Sequence, residues 1–499
     1  MNLSQIKKSS LLWAMLAVLS AAFLSGCAVG PDYHPPQTSV PSAYKEKLAD
    51  TNGQAGVSLD QWWRLFHDAE LNALIREATV SNYDIRIAQA RVREARAQAG
   101  IAESALLPSL DADGSYTRQR LSKNTPDGFV AQAAGQPLVQ NFYSADFDAS
   151  WEIDVFGGNR RAFEAAKADV GSSVESSRDV LVTVLGDVGL NYLDLRGLQK
   201  ELAVTRDNLR LQEETLKLTQ DQLKAGLATE VDTARAEAQA ESTRSQIPLL
   251  EESVERSINR LAVLTGKQPE ELDAELKPAA PIPSAIPTIP VELPSDLLQR
   301  RPDIREAERA VAATTARIGV AKADLFPKFT LASATGLQSL SAAKFFDAES
   351  GIWSFGPSMS WPIFAGGRIR QNIKVQNAEQ EQALDRYQQT VLTSLEEVEN
   401  SLMACNKELE HHDALAHSEA ANWRAADLAE ERYRSGLEDF LDVLDTQRSL
   451  LDVQDELAQS DRDLGQNIIR LYKALGGGWE FTPELSGIGC KSASHSSLE

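Results

Sequence analysis

The sequence predicts a mixed α and β chain built as a tandem structural repeat. Each half supplies one pair of membrane-length strands, one very long helix and a shorter helix that turns back along it. Three observations lead there. Motifs recur about 210 residues apart along the 499-residue chain. Ala225-Gly226-Leu227 and Asp232 return as Ser435-Gly436-Leu437 and Asp442. Phe156-Gly157-Gly158-Asn159-Arg160 returns as Phe364-Ala365-Gly366-Gly367-Arg368. Asp84-Ile85-Arg86 and Leu107-Pro108 return as Asp303-Ile304-Arg305 and Phe326-Pro327, so the offset drifts only from about 219 to about 208. That spacing exceeds any solenoid period and marks a duplicated half. The second observation is an apolar residue every seventh position at Val174, Leu181, Val188, Leu195, Leu202, Leu209, Leu216 and Leu223, the signature of a coiled coil. The third is strict two-residue alternation in two short segments.

Residues 1–26 read as an export leader. Lys7 and Lys8 precede an apolar run, Leu11 to Phe23, that is too short to span a bilayer. Leu24-Ser25-Gly26-Cys27 resembles a bacterial lipobox, in which cleavage after Gly26 leaves Cys27 to carry N-acyl and diacylglycerol lipid. Ala28 follows instead of Asp, so the lipobox resemblance implies the outer membrane. The chain holds 50 Lys and Arg against 72 Asp and Glu, a net charge of −22, which becomes −24 without the leader. Such a surface excludes nucleic acid as a partner. No apolar stretch after residue 27 approaches the length of a membrane helix, so any crossing falls to strands.

After the segment 27–81, the first repeat (82–278) begins with a helix over Asn82–Leu106, stopped by Pro108. Strands follow over about 109–118 and 141–154, then helices over about 160–225 and 229–265. The longer helix measures about 100 Å and the shorter about 55 Å at the α-helical rise. Gly226 ends the first, and Pro248 is positioned to kink the second. A Pro-rich connector (279–302) leads to the second repeat (303–476). It has a helix over Asp303–Phe326, strands over about 328–337 and 352–363, and helices over about 368–435 and 439–475. The tail 477–499 is polar at its end. One short and one medium helix, placed end to end, match the length of one long helix in each half.

In the second strand Tyr143, Ala145, Phe147, Ala149, Trp151 and Ile153 interleave with Ser144, Asp146, Asp148, Ser150, Glu152 and Asp154. In the fourth, Trp353, Phe355, Pro357, Met359, Trp361 and Ile363 interleave with Ser354, Gly356, Ser358 and Ser360. Each is the length of a tilted transmembrane strand. Four strands cannot close a barrel, and an open edge in lipid leaves backbone groups unpaired at several kcal/mol each. The barrel must therefore be shared between copies of the chain.

These pieces resemble the TolC-like outer-membrane factors of efflux pumps, in the lipoprotein branch paired with resistance–nodulation–division (RND) transporters. The residues that carry the resemblance are Val29-Gly30-Pro31-Asp32-Tyr33, Trp62-Trp63 through Phe66, Asp68 and Leu71, Arg91-Val92 to Pro108-Ser109, and Phe156-Gly157-Gly158. The most specific stretch is Arg432-Tyr433 through Gly436 to Phe440-Leu441-Asp442-Val443-Leu444-Asp445-Thr446-Gln447. Phe440 stands where the family often has tyrosine. The resemblance implies a homotrimer whose barrel of about 12 strands is continuous with an α-helical tunnel across the periplasm. It also implies an equatorial region around 27–81, a periplasmic adaptor protein as partner and an inner-membrane RND-type transporter.

A duct performs no chemistry, so the residues of interest are those that open and close it. The helix turns at Gly226-Leu227 and Gly436-Leu437 are candidates for adaptor docking. Beyond them the halves diverge: Asp232 corresponds to Asp442, but Arg235 corresponds to Asp445. Arg448 lies three residues beyond Asp445 on the same helix face. By resemblance Leu441 and Asp445 match the family's constriction. The expectation is an apolar ring at Leu441, locked by Asp445 paired with Arg235 or Arg448. Asp111, Asp113, Asp146, Asp148, Glu152 and Asp154 fall on polar strand faces and are expected to line a cation-favouring lumen.

No metal or other cofactor is expected beyond the lipid on Cys27. His411 and His412 are adjacent on a helix and face different directions, and no zinc spacing, phosphate loop or nucleophile elbow occurs. An enzyme is therefore not expected. Cys405 falls at a core position of a helical pattern, and a bridge to Cys490 is chemically allowed in an oxidising compartment. Two other readings of the same pieces are the channel of a type I protein-secretion system and a structural coiled-coil envelope lipoprotein.

Overall fold

A computed structural model describes residues 28–46, 59–283 and 294–480. The leader, Cys27, part of the Pro-rich connector and the tail from 481, with Cys490, lie outside the described residues. After a short 3-10 helix at Leu59–Phe66 come α1 (Ala69–Ser81), α2 (Tyr83–Ser104), β1 (Ser109–Arg120), α3 (Pro126–Ala133) and β2 (Val139–Ile153). Then follow α4 (Gly158–Lys224), α5 (Glu230–Leu264), α6 (Asp273–Leu276), α7 (Pro294–Arg300) and α8 (Pro302–Ala323). The chain closes with β3 (Lys328–Ser339), β4 (Gly351–Ser360), α9 (Arg368–Arg434) and α10 (Phe440–Ala474). Among the described residues no helix is long and apolar enough to cross a membrane.

The repeat is tighter than the motifs indicate. The paired helices α2 and α8 have 22 residues each, α4 and α9 have 67, and α5 and α10 have 35. The offset is 219 up to the first strand of each half and 210 from the long helix onward. The glycine before each long helix is therefore Gly157 opposite Gly367, both at positive φ, where the motifs set Gly157 opposite Ala365. Three other expectations change in detail. The last strand ends at Ser360, so Trp361 and Ile363 lie beyond it. The connection 122–139 contains the short helix α3. Pro248 sits inside a continuous α5.

One compact unit comprises the described residues up to Gln37, Val92–Ser173 and Ala307–Tyr387. It holds the four-stranded antiparallel sheet in the order β1-β2-β3-β4, with β1 and β4 at its edges. Ser109 pairs with Ser150 in the first hairpin and Lys328 with Ser360 in the second, the same register in both halves. One face carries Leu110, Tyr116, Tyr143, Phe147, Trp151, Phe329, Leu331, Trp353, Phe355 and Met359; the other carries serines, carboxylates and glycines. The indoles of Trp151 and Trp361 donate to the carbonyls of Leu106 and Leu325, each at 3.0 Å. Tyr116, Tyr143 and Phe345 cluster at the other end of the strands, with ring centroids 5.0 and 6.3 Å apart. Aromatic rings at both margins of an apolar band are what a membrane sheet presents to its two interfaces. The chain just after Cys27 is fastened to this unit. Val29 N donates to Phe156 O at 3.0 Å, and Asp32 pairs with the buried Arg161 at 2.6 Å. At Gly30, φ is +110°, and a Cβ would lie 2.4 Å from the Cα of Gly319, so only glycine fits.

The second unit comprises the described residues of Thr38–Arg91, of Val174–Glu306 and from Gln388 onward. Asn82 Nδ2 donates to Leu264 O at 2.8 Å, and at the equivalent place Arg301 donates to Ala474 O at 2.9 Å. The residue before each short helix thus caps the carbonyl end of the medium helix, joining the two end to end. The core here gathers Trp62, Phe66, Leu71, Ile75, Leu185, Leu193, Ile469 and Tyr472, all buried. The leucine heptad is buried only at Val188, Leu195 and Leu202. Further along α4 the buried stripe is polar: Thr205, Asn208, Gln212, Thr215 and Thr219. Cys405 is a buried free thiol, pushed up to about 12 by burial.

Candidate functional site: the helix-turn tips and the polar strand face

Both tips are built by the same local chemistry. α4 and α9 end in glycines at positive φ, Gly226 at +75° and Gly436 at +71°. Leu227 N donates back to Gln222 O, and Leu437 N to Arg432 O, each at 2.9 Å, so the last carbonyls are satisfied. Leu227 and Leu437 are left 79% and 70% exposed at the apices. Such apolar residues with no partner in the chain are suited to docking another protein.

The two tips differ in their caps. At the first, Thr229 caps α5 and Asp232 returns the bond, accepting from Thr229 N at 3.0 Å and donor Oγ1 at 2.7 Å. Asp232 is thus engaged in closing a helix end. At the second tip Asp439 caps α10 with no side-chain bond. Asp442, the counterpart of Asp232, faces Glu438, Asp439 and Asp445 instead. Its carboxyl is pushed up, by lost hydration first and then by hydrogen bonding to Glu438 and those like charges. Arg432 pairs with Glu438 across the turn and holds the Glu438 carboxyl down. Tyr433 is buried against Phe440 at 5.5 Å, with Ala236, Ala429, Val443 and Leu444 around them. Burial, with Asp232 and Asp439 adding to it, raises the Tyr433 hydroxyl.

The buried face of α10 turns Phe440, Val443, Leu444, Leu450 and Leu451 inward. The opposite face presents Leu441, Asp445 and Arg448, all exposed. The three candidate residues therefore share one stripe, with Asp442 beside it. Within one copy, however, Arg448 Nε donates to Gln239 Oε1 at 2.6 Å. Among the described residues neither Arg448 nor the exposed Arg235 forms an ion pair with Asp445 in the same chain. The expected lock is not made inside one protomer.

Sequence reading overlooked the seam behind this helix. Gln447 Nε2 donates to Thr215 Oγ1 at 3.1 Å, and Asn208 Nδ2 donates to Gln454 Oε1 at 3.0 Å. Both side-chain amide atoms of Gln212 are buried with no bonding partner among the described residues. The signal was present as a second heptad, Thr205-Asn208-Gln212-Thr215-Thr219, in a register that apolar scanning ignores. A seam of hydrogen bonds exchangeable with water resists separation less than one of leucines.

On the polar strand face Asp111 lies directly opposite Asp148, and Asp113 opposite Asp146. Like charges so placed destabilise a sheet pair unless the face is wet. Glu152 shares the face, opposite Thr330. Asp154 departs from expectation: it accepts from Arg160 N at 2.8 Å and pairs with the Arg160 guanidinium at 3.3 Å, so it secures the start of α4. Among the described residues no cluster of His, Cys, Asp and Glu could hold a metal ion.

Comparison with known proteins gives the arrangement its context. The family model described as Outer membrane efflux protein matches residues 74–267 and 293–477. The pyoverdine export outer membrane protein OpmQ of Pseudomonas aeruginosa is 34% identical over 467 residues, covering 93% of this chain and 97% of OpmQ. The toluene efflux pump outer membrane protein TtgF of Pseudomonas putida is 31% identical over 476 residues, covering 93% and 97%. The solved structure of the outer-membrane channel OprN is similar at a TM-score of 0.82 and 33% identity, covering 91% of this chain and all of OprN's. With the TolC-like fold and matches of this extent, the chain belongs to the outer membrane efflux protein family, a family of channels and not of enzymes.

Proposed function

We propose that three copies of this chain form the passive, gated exit duct of a tripartite pump for small toxic molecules. The observation that carries this reading is the sheet itself. It ends in two unpaired edges, β1 and β4, and backbone groups at such edges cannot be left bare in lipid. Copies that pair β4 with β1 of the next remove every edge. Lipid on Cys27 anchors the duct beside its barrel, because the residues just after it are already fastened to the strand-to-helix junction. An adaptor docks at Leu227 and Leu437, and an inner-membrane RND-type transporter supplies the energy, since the sequence carries no nucleotide-binding motif.

The gate is the exposed stripe of α10. Leu441 from each copy narrows the bore, and Asp445 pairs with Arg235 or Arg448 of a neighbouring copy. One exposed pair contributes about 0–1 kcal/mol, so closure depends on a symmetric ring of them. The polar seam between α4 and α10 lets the helix swing once the ring is broken. In planar bilayers Asp445→Ala is expected to give larger or longer openings than the wild type; identical conductance refutes the gate. The same recordings test the lumen: Asp111, Asp113, Asp146, Asp148 and Glu152 predict a reversal potential shifted towards the cation under a salt gradient. A reversal potential of zero under that gradient rejects a selective lumen.

A further inference from the structure

The second unit holds a niche to which the duct reading gives no task. α4 and α10 meet along a line of glycines. A Cβ on Gly186 would lie 3.2 Å from the Lys473 stem, one on Gly189 2.9 Å from Ile469 and one on Gly197 2.9 Å from Arg462. On one side of that line Tyr192 and Arg196 donate to Asp68 and Glu70. Asp179 and Thr183 point about 140° away around the same helix. There they open onto a cavity of about 470 Å³, which α9, the end of α10 and the start of α8 complete.

The charges around this cavity are not all matched. Asp303 and Glu397 pair with Arg301. Arg470 donates only to neutral oxygens, those of Asn467 and Gln466, each at 2.8 Å. Among the described residues neither Arg470 nor Lys473 forms an ion pair, although both line the cavity. The remaining lining acid, Asp179, also lacks an ion pair among the described residues. Burial first, then the charge of Asp303, raises its carboxyl above the ordinary value, which makes it a weak counter-ion for Lys473. Two cations are thus left unmatched at one cavity of a chain whose net charge is −22.

Their chemistry selects a ligand. Arg470 and Lys473 are three residues apart on α10 and share a face. A guanidinium fork and an ammonium can both donate to one carboxylate. Asn400 and Ser401 bring neutral donors to the same cavity, and Val182, Pro302 and Ala474 bring apolar surface. The volume falls in the range of about 300–1,000 Å³ that holds a drug-sized molecule. We propose that this niche binds small organic anions in transit: Arg470 and Lys473 take the carboxylate, Asn400 and Ser401 hydrogen-bond beside it, and the apolar body lies against Val182, Pro302 and Ala474. The inference rests on the duct reading above and adds a class of cargo. In a duct with Asp68 and Glu70 on the outside of its wall, the far side of the glycine line faces the bore.

The probe is 4-fluorobenzoate, with the neutral 4-fluorobenzamide as control. Fluorine relaxation, measured as each is titrated into the purified full-length protein in detergent and corrected for empty detergent, gives the affinities. The wild type is expected to bind the benzoate more tightly than the benzamide. Lys473→Met keeps the stem that packs on Gly186 and should weaken benzoate binding about tenfold, the scale of one charge-assisted hydrogen bond. Lys473→Arg should restore most of it. Arg470→Gln guards against misfolding of the first variant: it deletes the neighbouring charge and should weaken binding likewise. Equal binding of benzoate and benzamide by the wild type, or equal benzoate binding by the wild type and both charge deletions, overturns the site. Single-channel recording of the same wild-type preparation keeps the two readings apart. Conductance without charge-dependent binding removes the niche and leaves the duct, whereas no conductance removes the duct on which the niche depends.

Discussion

Trp62→Ala is expected to destabilise the protein by about 3–5 kcal/mol, the range for truncating a buried aromatic side chain. Trp62 is 2% exposed and stacks on Tyr472 with ring centroids 6.2 Å apart. It meets Trp63 and Phe66 edge-on at 5.6 and 6.4 Å. Its fit is made by glycines. A Cβ on Gly189 would lie 2.8 Å from the indole, and one on Gly478 3.3 Å from its nitrogen. Cavities so closely walled collapse poorly, which places the cost at the upper end of that range. Urea unfolding of the purified protein in detergent, followed by fluorescence and far-UV circular dichroism, measures it. A loss under 1 kcal/mol contradicts a tightly packed core around residue 62.

Arg301→Ala is expected to cost a similar amount, about 3–5 kcal/mol, by a different route. The Arg301 guanidinium is nearly buried and serves three partners: Asp303 at 2.7 Å, Glu397 at 2.7 Å and Ala474 O at 2.9 Å. Burial works against its charge, and Asp303 and Glu397 outweigh it. Removing the cation leaves carboxylates facing one another across a cavity of about 470 Å³ that Asp179, Asp303 and Glu397 line. Burial, then the negative charge of Asp303, already raises the Asp179 carboxyl above its ordinary value, and Arg301 opposes that rise. A carboxyl raised in the folded state binds a proton more tightly there than when unfolded. It favours the fold at low pH and loses that contribution as pH rises through its folded value. Without Arg301 the rise grows, so the variant should lose more stability at pH 8 than at pH 5. An equal loss at both assigns the role of Arg301 to packing and the bond to Ala474, not to charge.

Much of the fold is legible in the chain because its signals are local and repeated. Alternation at Tyr143 to Ile153 marks a strand whichever partner it finds, and glycines at 226 and 436 end helices by backbone conformation alone. Where reading erred, the missing information was a distant contact. The run Trp361 to Ile363 continues the alternation, but strand pairing stops at Ser360. Asp154 reads as one more acid on a polar face, yet Arg160 claims it. Asp232 and Asp442 look equivalent, and one cap residue, Thr229 against Asp439, gives them different work.

The sequence by itself determined the duplicated architecture, the lengths of the helices, the four strands and the place of the tips, because each follows from periodicity and from glycine and proline. Only the tertiary structure decided which of two heptads on α4 is buried near the tip, which faces of α2 and α9 stay bare, and that Arg448 binds Gln239. These depend on which elements meet, and one sequence read along its length carries no record of that meeting.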